Sequence, residues 1–198
     1  MGRRNQRGIH ELWSCSRYTY STLLETVTLS SNISGLLPWY PPGLVNINYG
    51  VHGCVHLGTQ MTAETTSNPP SRVSFPAEPH RIYSLLFLDV SRMSVVWLVT
   101  NIPGSDILGG QTIAEYQPPA PHTPTQYLAL AMLQSAVISK SALARYQARL
   151  CQYRPRNTFH LRHFLADQGI EMIVAANYFV VEHDTYVDSI DRYCQQIL

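Results

Sequence analysis

The chain has 198 residues, 45% of them hydrophobic, with 14 basic against 13 acidic side chains and a net charge of +1. A chain of this length buries roughly two thirds of its unfolded surface, so one domain is expected to form without metal or disulfide support. So balanced a charge excludes a general nucleic-acid binder, and no window approaches the roughly 18 apolar residues that a membrane span requires.

The chain opens on a basic stretch in which Arg3, Arg4, Arg7 and Arg17 face a single early acid, Glu11. Its wealth of arginine and hydroxyl residues is the composition of an organellar transit segment, which sets an arm over 1–28 apart from a domain over 29–198. Lys140 is the one lysine. Arginine offers planar, bidentate contacts to phosphate or carboxylate, although codon usage accounts for the skew as readily. Cys15, Cys54, Cys151 and Cys194 lie far apart and form no CxxC pair. Buried free thiols in a reducing compartment are therefore expected, and zinc or redox chemistry is not.

The first periodic segment, Val45 to Tyr49, alternates apolar and polar residues and ends at Gly50, which predicts a half-exposed strand. Short pieces follow at Cys54 to Leu57 and Val73 to Phe75. Tyr83 to Val90 and Val95 to Ile102 run apolar without alternation, as do Tyr127 to Leu133 and Met172 to Val181. Strands covered on both faces have this pattern, so the first two are expected in the middle of the sheet. Asn101-Ile102-Pro103-Gly104 closes one run with a tight turn, because proline fixes φ and glycine admits positive φ. Between the runs, Gln117 to Gln126 holds four prolines in ten residues. So many missing amide donors predict a stiff extended loop.

Helices are predicted late in the chain. Ser141 to Tyr153 places Leu143, Tyr146 and Leu150 on one stripe. Thr158 to Gln168 starts at a hydroxyl cap, carries Leu161, Phe164 and Leu165 on one face and stops at Gly169. Asp184 opens a terminal helix in which Val187, Ile190, Cys194 and Ile197 recur at helical spacing. Strands in a row followed by a few helices argue for a mainly β domain with helices on its periphery.

Catalytic and metal signatures are weak. His52-x3-His56 lacks a third ligand at legible spacing, and His160 with His163 reads as an exposed pair at i, i+3. No Gly-x-Ser-x-Gly, Walker loop or Gly-x-Gly-x-x-Gly occurs, and no serine has a base at readable spacing. No enzyme activity, cofactor or metal is expected.

Tyr83-Ser-Leu-Leu-Phe-Leu-Asp89, Trp97-Leu-Val-Thr-Asn-Ile-Pro-Gly104, Gly110, Tyr116, the proline-rich loop and Tyr127 occur in an order that resembles the phosphatidylethanolamine-binding protein family. So do Val45-x-Ile47-x-Tyr49-Gly50, Gly58 and Pro69 upstream. Phe159, Phe164, Val174-Ala175, Tyr178-Phe179 and Asp184 agree downstream. The similarity covers roughly Leu29 to Ile197 and implies an antiparallel β-sandwich with peripheral α-helices.

The resemblance also implies a small pocket for a phosphate-like anion, framed here by Asp89, Arg92, Val96, Pro119, His122, Thr125 and Tyr127. Asp89 and Tyr127 match the family pattern. Val90-Ser91-Arg92 stand in place of Pro-Asp-Ala, Val96 in place of a histidine, and Thr125-Gln126 in place of His-Arg. Two imidazoles and a guanidinium have given way to a valine, a threonine and an amide. A desolvated phosphate needs charge-assisted donors, so a small anionic ligand is not expected unless Arg92 or His122 swings in. The implied function is a non-catalytic structural or interaction module with a degenerate pocket, joined to the proteins of a larger assembly. Trp97 to Gly104 and Tyr116 to Pro121 are most similar to a family branch found in the large subunit of mitochondrial ribosomes. That points to a mitochondrial location, with the cytoplasm as the other option, and to rRNA contacts through Arg3, Arg4, Arg7 and Arg17. The alternative is a free regulator of signalling partners that binds phosphate or phospholipid headgroups.

Overall fold

The computed structural model describes residue 33 and residues 35–197. The arm over 1–28, with Arg3, Arg4, Arg7 and Arg17, and also Cys15, lie outside the described residues.

Ten strands form two sheets among the described residues. They are β1 (Gly43–Leu44), β2 (Asn46–Asn48), β3 (Cys54–Val55), β4 (Thr59–Thr62), β5 (Arg72–Ser74), β6 (Ile82–Asp89), β7 (Ser94–Pro103), β8 (Gln111–Ala114), β9 (Thr125–Gln134) and β10 (Ile170–Glu182). The large sheet runs β1-β10-β9-β6-β7-β8, with β4 also on β10, and the small one runs β3-β2-β5. The centre, β10-β9-β6-β7-β8, is antiparallel throughout. β1 and β4 instead pair parallel with β10, so the sheet is mixed rather than wholly antiparallel as expected. β10 spans 13 residues, long enough to accept both short strands along one edge.

The non-alternating runs have the predicted cause. Leu85 and Phe87 of β6 face a core shared with Val45, Ile47, Val55 and Phe75 of the small-sheet region. Leu86 and Leu88 face a second core with Leu143, Phe159, Leu161, Phe164 and Leu165. Each such side chain contributes about 1.5–3 kcal/mol by burial, against about 1 kcal/mol net for a hydrogen bond. Burial of both sheet faces therefore dominates the stability. Asn177 ties the layers together: it donates to the carbonyls of Val45 (2.8 Å) and Val55 (3.1 Å) and accepts from the Leu57 amide at 2.9 Å.

Two α-helices follow, α1 (Leu161–Asp167) and α2 (Tyr186–Ile197). α1 buries Leu161, Phe164 and Leu165 as its stripe predicts, and Gly169 ends it at φ +61°. Thr158 does not cap it: its hydroxyl donates to the Asn157 carbonyl, and its own φ is +62°. α2 buries Val187, Ile190 and Cys194, whereas Ile197 is half exposed. At its entrance, Asp184 accepts from the amides of Tyr186 (2.9 Å) and Glu64 (3.0 Å).

The helix expected over Ser141 to Tyr153 is replaced by one 3-10 turn, Ala144–Tyr146, and further turns. The Ala148 amide donates to the Ile113 carbonyl, and the Glu115 amide donates to the Ala148 carbonyl. Those bonds extend the edge of β8 and take backbone groups that a helix needs. Leu143 is nevertheless fully buried, so its apolar spacing serves a turn instead of a helix.

The free thiols expected from cysteine spacing are corrected as well. Cys151 and Cys194 form a disulfide across 43 residues, and Cys54 is also disulfide-bonded. Sequence spacing does not show that the coil after the 3-10 turn runs beside the last helix. The fold makes the two positions neighbours.

Candidate functional site

Register builds the pocket. β6 ends at Asp89, directly opposite Tyr127 near the start of β9. The chain reverses through Val90 to Met93 into β7, whose first residues Ser94, Val95 and Val96 form the next wall. The proline-rich loop follows β8 and is held by a bond from the Gln117 amide to the Val96 carbonyl at 2.8 Å. The result is a cavity of about 260 Å³ lined by Asp89, Arg92, Val96, Pro119, His122 and Tyr127, with Gln117, Tyr153, Asn157 and Asp191 among the added walls.

Six of the seven framing residues named from sequence therefore converge. Thr125 does not: it is buried, its hydroxyl donates to the Thr123 carbonyl, and it does not line the cavity. Tyr153, Asn157 and Asp191 were missed. Asp191 reads in sequence only as part of the polar side of a helix, and its arrival here depends on how α2 docks.

Asp89 is a structural anchor first. One oxygen, Oδ1, accepts from the Ser91 amide (2.9 Å), the Ser91 hydroxyl (2.7 Å) and the Arg92 amide (3.1 Å), an Asx-type turn. Its Oδ2 stands 3.8 Å from the Arg92 guanidinium, with the Asp89 side chain 6% exposed and that of Arg92 55%. His122 Nε2 lies 3.7 Å from Asp191 Oδ2. Both candidate donors thus have a carboxylate within 4 Å, Arg92 in its own turn and His122 on α2. Burial, then the neighbouring Asp89 charge, pushes the Tyr127 phenol far up, so it remains a neutral donor.

Behind the wall lies Arg156, 1% exposed. Its guanidinium donates to the carbonyls of Val95 (3.1 Å), Val96 (3.2 Å) and Arg149 (2.8 Å). Burial lowers its pKa to about 10, partly opposed by the Glu115 charge, so it stays a cation at neutral pH. It organises the wall from behind and does not line the cavity.

A second cavity of about 360 Å³ shares Gln117 and Pro118 with the first and is bordered by Leu150, Tyr186, Ile190, Tyr193 and Cys194. Gln117 fixes the partition: its Oε1 accepts from the Cys151 amide at 2.7 Å, and its Nε2 approaches Cys194 Sγ at 3.8 Å. A third, of about 260 Å³, lies across Asn157 and includes Arg145, Arg154, His160 and His163. His52 sits on an exposed 3-10 turn. Among the described residues no group of three or more His, Cys, Asp or Glu is placed to hold a metal, and no helix is long and apolar enough to cross a membrane.

No protein-family model matches the chain. Over 126 residues, 56% of the chain, it is 30% identical to a 26 kDa secreted antigen of Toxocara canis, and it spans about half (48%) of that relative. It is 28% identical over 159 residues to putative odorant-binding protein A5 of Drosophila melanogaster, covering 74% of each. Among solved structures, carboxypeptidase Y inhibitor complexed with its cognate proteinase superposes with a TM-score of 0.60 at 16% identity, covering 83% of this chain and 92% of that one. The phosphatidylethanolamine-binding protein from Plasmodium vivax gives 0.58 at 14% identity, covering 81% and 97%. The chain has the phosphatidylethanolamine-binding-protein fold, mainly β with peripheral helices.

Proposed function

We propose that the chain is an extracellular, non-catalytic binding module that engages a protein partner through the face formed by the first two cavities. One observation carries this reading. Three exposed tyrosines, Tyr153, Tyr186 and Tyr193, border the two cavities, and in the first of them Arg92 and His122 each lie within 4 Å of a carboxylate.

Exposed tyrosine supplies large contact area with little rotamer freedom to lose, which suits a protein interface. The proline-rich loop and the Cys151–Cys194 bridge stiffen the surroundings, which lowers the entropic cost of binding. Paired cysteines favour an oxidising compartment, and the likeness to a secreted antigen supports the same location. The inhibitor seen with its proteinase is a protein of this fold with a protein partner. Ribosome membership and a mitochondrial location, expected from the Trp97 to Gly104 pattern, gain no support from these relatives.

Anion capture in the Asp89 cavity is disfavoured by charge. Phosphoethanolamine titrated into labelled protein is expected to leave the Arg92 and His122 side-chain NMR signals without a saturable shift. Asp191→Asn, which frees His122, is expected to create weak phosphate binding there. In native secretions the protein should migrate as a complex, and Tyr186→Ala with Tyr193→Ala should release it as a free species. Micromolar phosphoethanolamine binding that is lost on Arg92→Ala, or migration of the native protein only as a small free species, overturns the reading.

A further inference from the structure

The cavity across Asn157 has the charge that the Asp89 cavity lacks. Arg145, Arg154, His160 and His163 line it, and Tyr146 and Phe159 supply aromatic wall. No carboxylate is among its lining residues. The nearest acid in contact, Asp167, pairs with Arg145 at 2.6 Å. Arg145 also donates to the Tyr146 hydroxyl at 2.6 Å. Arg154 is exposed and has no acidic partner among the described residues. The His160 and His163 rings stand 5.2 Å apart, one helical turn along the same side.

We propose that this cleft is a second binding site, specific for a phosphate or sulfate monoester. A tetrahedral oxyanion presents several oxygens, and the guanidinium fork matches two of them at once. Imidazole N–H groups supply further donors from the adjacent turn. Only one of the two guanidiniums is occupied by an internal carboxylate, so the cleft retains a free cation where the Asp89 cavity has none. Its volume of about 260 Å³ accommodates the oxyanion with a small substituent against Tyr146. The floor is fixed in place because the Phe159 amide donates to the Met93 carbonyl at 2.9 Å, and the Tyr146, Phe159 and Phe164 rings pack together below. The ligand therefore meets a preformed surface.

The test uses the full chain in low-chloride buffer, titrated with inorganic phosphate, inorganic sulfate and O-phosphoethanolamine, with side-chain NMR signals followed. Saturable shifts are expected at Arg154, His160 and His163. Affinity should fall at least tenfold in Arg154→Gln and with rising salt, while Arg92→Ala leaves it unchanged. Arg154 is exposed and unpartnered, so its variant should unfold at the wild-type temperature. Arg145→Gln gives a second reduction. Vesicles of phosphatidylcholine with and without phosphatidic acid identify the source: co-sedimentation lost in Arg154→Gln assigns a lipid headgroup, and binding of the soluble monoesters alone assigns a small solute. A flat titration with every probe, shifts confined to Arg92 and His122, or an Arg154→Gln protein of wild-type affinity overturns the site. Arg154, His160 and His163 are untouched by the tyrosine variants that test the partner face, so the two readings fail separately.

Discussion

Asn101 occupies the left-handed region at φ +55° within β7, a conformation that asparagine tolerates better than most residues. Its side chain is the centre of a buried network. Oδ1 accepts from the Ile138 amide and from Gln134 Nε2, both at 2.9 Å, while Gln134 Oε1 accepts from the Asn101 amide (2.9 Å) and the Ser84 hydroxyl (2.8 Å). Gln134 is almost wholly buried. Gln134→Leu strands several of these groups, so a loss of about 1–3 kcal/mol is expected in denaturant unfolding. Asn101→Gly, which keeps the backbone conformation and loses the amide, should cost stability through the lost network and the added freedom of the unfolded chain. The sequence marks Asn101-Ile102-Pro103-Gly104 as a turn from residue chemistry, but β7 stays paired with β6 through Pro103, and the chain turns only from Gly104, at φ +56°. Gln134 gives no such sign, since its partners are 33 and 50 residues away. Asp184 is one source of acid sensitivity. Burial raises its pKa, but the amides of Glu64, Tyr186 and Val187 and the Thr62 hydroxyl outweigh this and hold it below its ordinary 3.8. A depressed acid stabilises the fold fully above its unfolded pKa and loses that contribution as pH falls through the folded value. Acid titration of stability should therefore be steeper for the wild type than for Asp184→Asn below pH about 4.

At the scale of elements, α2 is positioned by one covalent tie and one buried stripe. The Cys151–Cys194 bridge closes 43 residues of chain, and removing such a loop constraint costs about 2–5 kcal/mol. The Cys151→Ala, Cys194→Ala double variant should show that loss in thermal or denaturant unfolding. It should also broaden the NMR signals of Asp191 and His122, because Asp191 reaches the cavity from the same helix. Strands β6, β7, β9 and β10 were legible because burial on both faces leaves an unbroken apolar run. β1, β4 and β8, of two to four residues, were not, since their residues stand out neither by alternation nor by an apolar run. The Asp89 cavity was largely legible through the family resemblance, which supplied strand order and hence which residues meet. Its opposing carboxylate, Asp191, depends on helix docking and carries no local pattern. The stretch Ser141 to Tyr153 misleads because apolar spacing of three and four also serves a turn that drops Leu143 into the core.

For the molecule as a whole, two cores share one sheet, with the small sheet covering one face and helices and turns covering the other. Such an arrangement leaves the sheet's rims as its weak places, because an open strand edge recruits other chains. On one rim, β10 is covered by β1 and β4. On the other, β8 is four residues long and is bridged at Ala114 by Ala148. The turn that fails to become a helix is thus a guard: it occupies the hydrogen-bonding positions at which a neighbouring molecule would otherwise add a strand. Ala148→Pro deletes the donor to Ile113 at a small, buried residue on the margin of the second core. Concentration-dependent self-association, detected by light scattering in a protein that still folds, is the expected result, and a variant that stays monodisperse would assign the guarding role elsewhere. The cover on this margin rests on a few backbone contacts, contributed by residues whose sequence advertises something else.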